Sequence, residues 1–148
     1  RIRSLVDPVH LPFLAMPTSL KVVKYRGGLA LHCQGAALLE PTLAALAVGV
    51  DQAWREAVAV RDGPGGAHLT VVEPQECGPE VEGQLSSLEV PEGELCALGL
   101  GGAQGCSFAV VHCSRLQHAR LCAGLPAKDF HVTLGFLGKD RHDASKGV

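Results

Sequence analysis

Two tripeptides of one form, His68-Leu69-Thr70 and His131-Val132-Thr133, each lie inside a short apolar run of the chain. An imidazole titrates near pH ~6.5, so two histidines can act as base and acid near neutral pH. A phosphodiester hydrolysis needs both, because one group takes a proton from the attacking water and another gives a proton to the leaving oxygen. Hydroxyls such as those of the two threonines stabilise negative charge on phosphoryl oxygens. We interpret these residues as a two-histidine acid–base site in which the base and the acid are not yet assigned.

Alternation along a strand decides which neighbours share a face with these residues. In the run 130–137, His131, Thr133 and Gly135 point one way, and the apolar residues that alternate with them point to the core. Phe136 is among the apolar set, so alternation assigns it to the core rather than to the site. His68 and Thr70 share a face in the same manner. Each tripeptide therefore presents an imidazole and a hydroxyl side by side on a strand.

The elements before the first tripeptide predict a strand, a helix and a breaker. Residues 20–33 are typical of two strands joined by a turn at Gly27-Gly28. Residues 41–60 show helical spacing of apolar side chains, with Pro41 at a favoured first position. Glycines and a proline at 63–66 then break the chain before the strand that begins at His68.

A second unit repeats this order before His131. Residues 107–113 predict a strand, and Ser114 with Gln117 fits a capping box that opens a helix ending at Gly124. His112-Cys113-Ser114 is a third match to the tripeptide, but we expect Ser114 to be used as the helix cap. Between the two units, residues 95–100 predict a strand and 99–105 a glycine-rich turn.

Composition and charge limit the classes of function. The chain has 148 residues, is 47% hydrophobic and 19% charged, and has a formal net charge of −2. The length and composition predict one globular domain, which we place at 20–148. Residues 1–19 contain Pro8, Pro12 and Pro17 without a sustained period and predict an irregular N-terminal arm. The strong basic field of long-duplex binders is missing, whereas a short or terminal nucleotide needs only a few local contacts.

Membrane and disulfide patterns are also missing from the sequence. No apolar run approaches a membrane span, so we expect no membrane partner. The chain begins with Arg1, which favours a processed or trimmed chain and gives a missing targeting segment no weight. Six cysteines without a C-x-x-C pair predict free thiols, mostly buried, in an intracellular protein of the cytoplasm or nucleus.

Other candidate binding residues could equally have an ordinary structural role. Tyr25 is a candidate base-stacking residue, as in readers of single-stranded nucleic acid, but a partly buried strand residue would read the same way. Lys128 and Asp129 flank the second tripeptide and fit either a cleft mouth or a solvated loop. His32 with Cys33 would point to opposite faces of a strand, so we expect no metal site there.

The stretch Gly124-Leu-Pro-Ala-Lys-Asp-Phe-His-Val-Thr-Leu-Gly-Phe136 resembles the Swiss Army Knife, RNA-repair-like branch of the 2H phosphoesterase superfamily. The resemblance spans about residues 20–138 and includes both H-x-T tripeptides. It implies an α+β, bilobal fold in which two pseudo-symmetric lobes of antiparallel sheet, with helices outside, enclose a central cleft. It assigns catalysis to His68 and His131, and phosphate binding to Thr70 and Thr133.

The resemblance also implies a function. We expect a metal-independent phosphodiesterase without a cofactor that acts on 2′,3′-cyclic phosphate ends of RNA or on related cyclic nucleotides. The partners would be RNA ends or cyclic nucleotides, and the protein a monomer or one part of a larger multidomain protein. The alternatives are a non-catalytic module that binds RNA ends or nucleotides, and an accessory domain of a larger RNA-repair protein.

Overall fold

The computed structural model describes residues 18–140. Within that range it is an α+β fold of antiparallel sheets and four α-helices, which confirms the fold class expected from the sequence. The expected N-terminal arm lies outside the described residues except for Thr18 and Ser19, and Ser19 already belongs to the first strand. None of the helices in this range is both long and apolar enough to cross a membrane.

The strands of this range are numbered in chain order: β1 (Ser19–Lys21), β2 (Val23–Tyr25), β3 (Gly28–His32), β4 (His68–Val72), β5 (Glu89–Pro91), β6 (Cys96–Ala103), β7 (Cys106–His112) and β8 (Phe130–Phe136). The α-helices are α1 (Leu39–Ala47), α2 (Gln52–Asp62), α3 (Pro79–Leu85) and α4 (Ser114–Cys122). Short 3-10 turns lie at Gly63–Gly65, Pro74–Glu76 and Glu92–Glu94. The strands predicted around both tripeptides are thus confirmed.

Six strands form one sheet in the order β2-β3-β4-β8-β7-β6, and every neighbouring pair is antiparallel. Each half of this sheet has the same chain order, which is a hairpin, then helix, then a strand that carries an H-x-T tripeptide. The halves meet where β4 pairs with β8. β1 and β5 form a separate two-stranded sheet. This arrangement gives the two pseudo-symmetric lobes that the resemblance implies.

The hairpin between β2 and β3 turns at Arg26-Gly27, one residue earlier than predicted. Tyr25 pairs with Gly28, so the loop has two residues, and both have positive φ, 49° for Arg26 and 83° for Gly27. Two positive φ angles are the requirement of a type I′ turn, whose twist matches that of the strands. The turn projects Arg26 beside the end of the sheet.

The predicted helix 41–60 is wrong as one element, because the structure divides it into α1 and α2. Gly49 lies in the break, and Asp51 caps α2 by accepting a hydrogen bond from the Ala53 amide at 2.9 Å. Apolar side chains keep helical spacing across the break, which is why the sequence reads as continuous. The division lets α2 end beside the first histidine.

Two other local predictions are wrong. The glycine-rich segment 99–105 is not a turn throughout, because β6 continues to Ala103 along its pairing with β7. Ser114 does not form a capping box, since Cys113 is the N-cap of α4 and no side chain caps that end. The Gln117 side chain instead binds the backbone of Lys128, with the Lys128 amide donating at 3.0 Å. This contact ties α4 to the segment before β8.

The core lies on the face of the main sheet that the helices cover. Leu69 and Val132, the middle residues of the two tripeptides, are both completely buried there. Helix residues such as Leu43 and Leu116 complete the same core. Since side chains alternate, the residues on either side of Leu69 and Val132 point to the opposite face. All six cysteines are free thiols, and three of them, Cys33, Cys106 and Cys113, are buried.

Candidate functional site

The register between β4 and β8 sets the geometry of the site. Leu69 is the Cα partner of Val132 in an antiparallel pair. One step along this ladder in each direction places His68 opposite Thr133 and Thr70 opposite His131. The histidines therefore lie on a diagonal, where residues are about 7–8 Å apart in an antiparallel pair and their Cβ atoms are somewhat closer. The sheet thus gathers both imidazoles and both hydroxyls on one face.

An open cleft of about 780 Å³ lies over this face and is lined by all four of these residues. His68, Thr70 and His131 are half-buried, whereas Thr133 is 7% exposed. His112 of the third tripeptide is not part of the cleft lining; it is exposed, with its Nε2 atom 3.1 Å from the Ser114 hydroxyl. The structure therefore brings together the two predicted tripeptides and leaves out the third.

His68 is backed by a carboxylate. Its Nδ1 atom is buried, has no hydrogen-bond partner among the described residues, and lies 3.7 Å from Asp62 Oδ2. Arg61 Nε donates to Asp62 Oδ1 at 2.6 Å and Arg61 Nη2 to Oδ2 at 2.8 Å. Burial of Asp62 would raise its pKa, but interactions with His68 and Arg61 outweigh burial and lower the pKa from 3.8 to about 2. Asp62 is therefore ionised at neutral pH.

His131 is oriented by a backbone group. Its Nδ1 atom lies 3.2 Å from the carbonyl oxygen of Asp129. A carbonyl oxygen only accepts, so Nδ1 must carry the hydrogen to make this bond. In the neutral ring, the Nε2 atom then carries the lone pair that a general base needs. The edge of the ring also packs against Phe108, with 5.9 Å between ring centroids.

Aromatic packing surrounds the first histidine. The Tyr25 ring lies 4.5 Å from the His68 ring and 4.9 Å from the His32 ring, centroid to centroid. The Arg26 guanidinium lies over the Tyr25 ring, 4.9 Å from the ring centroid. Tyr25 and Arg26 both line the cleft. The structure thus places the candidate stacking residue at the site, where it also packs against a proposed catalytic ring.

Charged side chains of both signs line the cleft. The cations are Arg26, Arg61, Arg120 and Lys128, and the carboxylates are Glu73, Glu76, Asp129 and Asp140. Most of the cations are paired with carboxylates. Arg61 binds Asp62 and Asp140, Arg120 binds Glu76 at 2.8 Å, and Lys128 binds Glu73 at 2.6 Å.

Arg26 differs from these cations. Its Nη2 donates to the carbonyl oxygen of Arg61 at 2.5 Å, and its side chain is exposed. Its described contacts are this carbonyl and the Tyr25 ring rather than a carboxylate. Its charge is therefore the least compensated of those that face the cleft. Lys24 neighbours Tyr25 in the sequence, but its Nζ atom lies 2.5 Å from Glu82 Oε1. Neither Lys24 nor Glu82 lines the cleft.

Gly135 does not lie on the face that alternation predicts. The pairing of β8 with β7 shifts by one residue between Ser107 and Phe108. Ser107 pairs with Gly135 and Phe108 with Thr133, so Leu134 is an additional residue in β8. Such a bulge interrupts alternation. A Cβ atom on Gly135 would lie 2.4 Å from Val50 Cγ1, so Gly135 faces the helix side instead of the cleft. Phe136 is buried, as predicted, but in a small second cluster, where its ring lies 5.5 Å from the Arg61 guanidinium.

Asp62 and Arg61 were not predicted as site residues from the sequence. Two charged residues at the end of a helix are typical of a solvent-exposed surface. The predicted helix also ended at residue 60, two residues before the end of α2. The one local signal is that both precede the breaker that leads into His68. No spacing rule links a carboxylate to a histidine six residues later across a turn.

Among residues 18–140, no group of three or more His, Cys, Asp or Glu side chains is placed to hold a metal ion. His32 is half-buried beside Tyr25, whereas Cys33 is buried in the core, so the two point apart as predicted.

Two H-x-T strands side by side under an open cleft define the architecture of a two-histidine phosphoesterase. Comparison with family models gives a match to the Swiss Army Knife 2H phosphoesterase domain over residues 41–142. The match covers well over half of the chain, and the chain belongs to this family of phosphoesterases. Neither the curated proteins nor the solved structures contain a match.

Proposed function

We propose that the protein is a phosphodiesterase that hydrolyses 2′,3′-cyclic phosphate ends of RNA or related cyclic nucleotides without a metal ion. The observation that supports this most is the register of Leu69 with Val132, which sets two imidazoles and two hydroxyls around one point of the cleft. A single phosphate group fits the space between such diagonal neighbours. The family match supports phosphoesterase chemistry in general.

The reaction needs two proton transfers. One histidine takes a proton from water as the water oxygen bonds to phosphorus, and the other gives a proton to the ribose oxygen whose bond to phosphorus breaks. The product is a phosphomonoester at the 2′ or 3′ position. Thr70 and Thr133 donate hydrogen bonds to the phosphoryl oxygens, where negative charge grows in the transition state. His68 and His131 have equivalent places in the two lobes, so either can open the reaction.

The charge distribution favours a small substrate. Carboxylates pair with most of the cations in the cleft, so the described part of the site forms no continuous basic track of the kind that binds long nucleic acid. Arg26 can therefore bind an anionic group of the substrate, and a base can stack on the Tyr25 ring. A nucleotide or a chain end presents both features within a short distance.

The test is direct. The protein is incubated with a 2′,3′-cyclic nucleotide and, separately, with an RNA oligonucleotide that ends in a 2′,3′-cyclic phosphate, both with EDTA present. Phosphorus NMR then follows the products, and it distinguishes a 2′-phosphate from a 3′-phosphate. We expect a phosphomonoester from at least one substrate at an undiminished rate in EDTA. Tight binding without product would instead indicate the nucleotide-binding module, and a rate that disappears in EDTA would contradict the metal-free mechanism.

A further inference from the structure

A buried carboxylate stands directly behind one of the two histidines. The Asp62 side chain is 2% exposed, and its Oδ2 atom lies 3.7 Å from the Nδ1 atom of His68. Asp62 does not line the cleft; it lines a second cavity of about 480 Å³ that is bordered by residues of α1 and α2. It therefore reaches the imidazole from the side of this second cavity, whereas the His68 side chain itself lines the cleft.

The His68 Nδ1 atom needs this partner. It is the buried side-chain nitrogen that has no hydrogen bond among the described residues. A buried donor without a partner destabilises the folded protein, and catalytic hydrogen bonds that are long without substrate often tighten when substrate binds. A shift of less than 1 Å would convert the 3.7 Å approach into a hydrogen bond. The carboxylate can only accept, so this bond would keep the hydrogen on Nδ1 and turn a free Nε2 towards the cleft.

Other groups that face His68 have different effects. The Tyr25 ring covers one side of the imidazole, and His32 lies 6.4 Å away, between ring centroids. His131 is the diagonal neighbour on β8. Arg61 is cationic, but its guanidinium is shared between Asp62 and Asp140, and it holds the Asp62 carboxylate in place through two hydrogen bonds.

We infer that Asp62 is a positioning residue for His68: it fixes the tautomer with hydrogen on Nδ1 and balances the charge that His68 carries when protonated. The kinetic part of this inference rests on the proposed function, but the tautomer does not. The helix break at Asp51 has a role here, because it directs α2 so that its last residue meets β4. The lowered pKa of Asp62 keeps the carboxylate charged throughout the neutral range.

The tautomer can be read in the wild-type protein. Long-range proton–nitrogen NMR of protein labelled with nitrogen-15 in histidine distinguishes hydrogen on Nδ1 from hydrogen on Nε2, and a His68→Gln variant assigns the signal. We expect His68 to carry hydrogen on Nδ1 when neutral. Hydrogen on Nε2 would overturn the inference. This readout needs no activity, so it decides the pairing even if cyclic phosphates prove not to be substrates.

Variants then test the kinetic role. Asp62→Asn should lower kcat about 10- to 100-fold, a part of the ~10²–10⁴ that a general acid–base group contributes, with little change in KM because Asp62 does not face the substrate. Asp62→Glu keeps the charge and should restore much of the rate.

Asp140→Asn is the matched control, because it removes the other carboxylate of Arg61 and leaves Asp62 beside His68. This variant should keep the His68 tautomer. Wild-type kcat and an unchanged tautomer in Asp62→Asn would overturn the inference. If Asp62→Asn does not fold, the wild-type tautomer and the Asp62→Glu rate decide the question.

Discussion

Leu69 of β4 pairs directly with Val132 of β8, and both side chains are completely buried. This contact lies where the two halves of the sheet meet, so an approximate twofold axis passes between the middle residues of the two tripeptides. Burial of these two residues forces the residues on either side of them onto the cleft face. The core contact and the candidate site therefore depend on the same register, and a shift of either strand by one residue would turn its histidine and threonine away from the cleft.

The threonine hydroxyls can be tested without changing side-chain shape. Thr70→Val and Thr133→Val should each lower kcat about 10²–10³-fold, the typical cost of one donor to a charged transition state. Thr→Ser at the same positions keeps the hydroxyl and should retain most of the activity. Steady-state kinetics on a cyclic nucleotide measures both. Equal rates for the valine and serine variants would show that the hydroxyls do not bind the phosphate.

Arg26 should contribute to substrate binding. Arg26→Asn removes the charge and still tolerates the positive φ of 49°, since Asn-Gly is a favoured type I′ turn. We expect KM to rise about tenfold, equivalent to ~1.4 kcal/mol, with kcat little changed. Lys24→Asn is the control, because Lys24 lies on the same hairpin but pairs with Glu82 outside the cleft. A similar KM for the two variants would contradict a specific contact of Arg26 with substrate.

Much of this site could be predicted from the sequence because the signals are local. Alternation of apolar and polar residues at 130–137 and at 68–72 gave the strands, their faces and the four polar residues. The pairing of β4 with β8 could not be read in this way, because residues 63 positions apart carry no local signal for register. The resemblance to a bilobal family supplied the expectation that the two strands form one site.

The errors share a physical cause, which is that tertiary contacts override local preference. Gln117 has the spacing of a capping box, but it is used by the Lys128 backbone. Gly101 reads as part of a turn, yet it lies in β6, where a Cβ atom would be 2.5 Å from the Phe108 ring. Asp62 reads as surface charge, and only the packing of α2 against β8 brings it behind His68.

Gly135 should be essential for the packing of α2. Its missing side chain leaves room for Val50 and for Trp54, whose Cβ atom would be 2.9 Å from an added Cβ. Gly135→Ala should lower the free energy of unfolding by about 1–3 kcal/mol, the usual cost of overpacking. Gly83→Ala in α3 is the control, because an added Cβ meets nothing within 4 Å, and alanine favours a helix by about 0.5–1 kcal/mol. Urea unfolding should show a lower free energy of unfolding for Gly135→Ala and a higher one for Gly83→Ala.

Glu92 should make stability depend on pH. Its buried carboxylate accepts hydrogen bonds from the Leu38 and Ala37 amides at 2.8 and 3.0 Å, at the start of α1. Burial opposes ionisation, but hydrogen bonds from Thr18 and from these amides outweigh it and lower the pKa below 4.5. The stabilisation is therefore complete above pH 4.5 and is lost as the pH falls through the lowered pKa.

Glu92→Gln should therefore cost about 1–3 kcal/mol at neutral pH, and the difference from wild type should shrink below about pH 4. Urea unfolding at several pH values gives this difference. Glu94→Gln removes an exposed carboxylate that binds Arg115, and it should change stability little. A difference between wild type and Glu92→Gln that does not vary with pH would contradict the role of the ionised Glu92 carboxylate.

The most direct test of the account is the single-turnover rate of cyclic-nucleotide hydrolysis in the wild type, His68→Ala, His131→Ala and the double variant, measured with EDTA present. Each single change should lower the rate about 10²–10⁴-fold, because each removes one of the two proton transfers. The double variant should be only slightly slower than either single variant, since groups that act as a unit are not additive. Wild-type rates in either single variant would contradict the claim that His68 and His131 act as one acid–base pair.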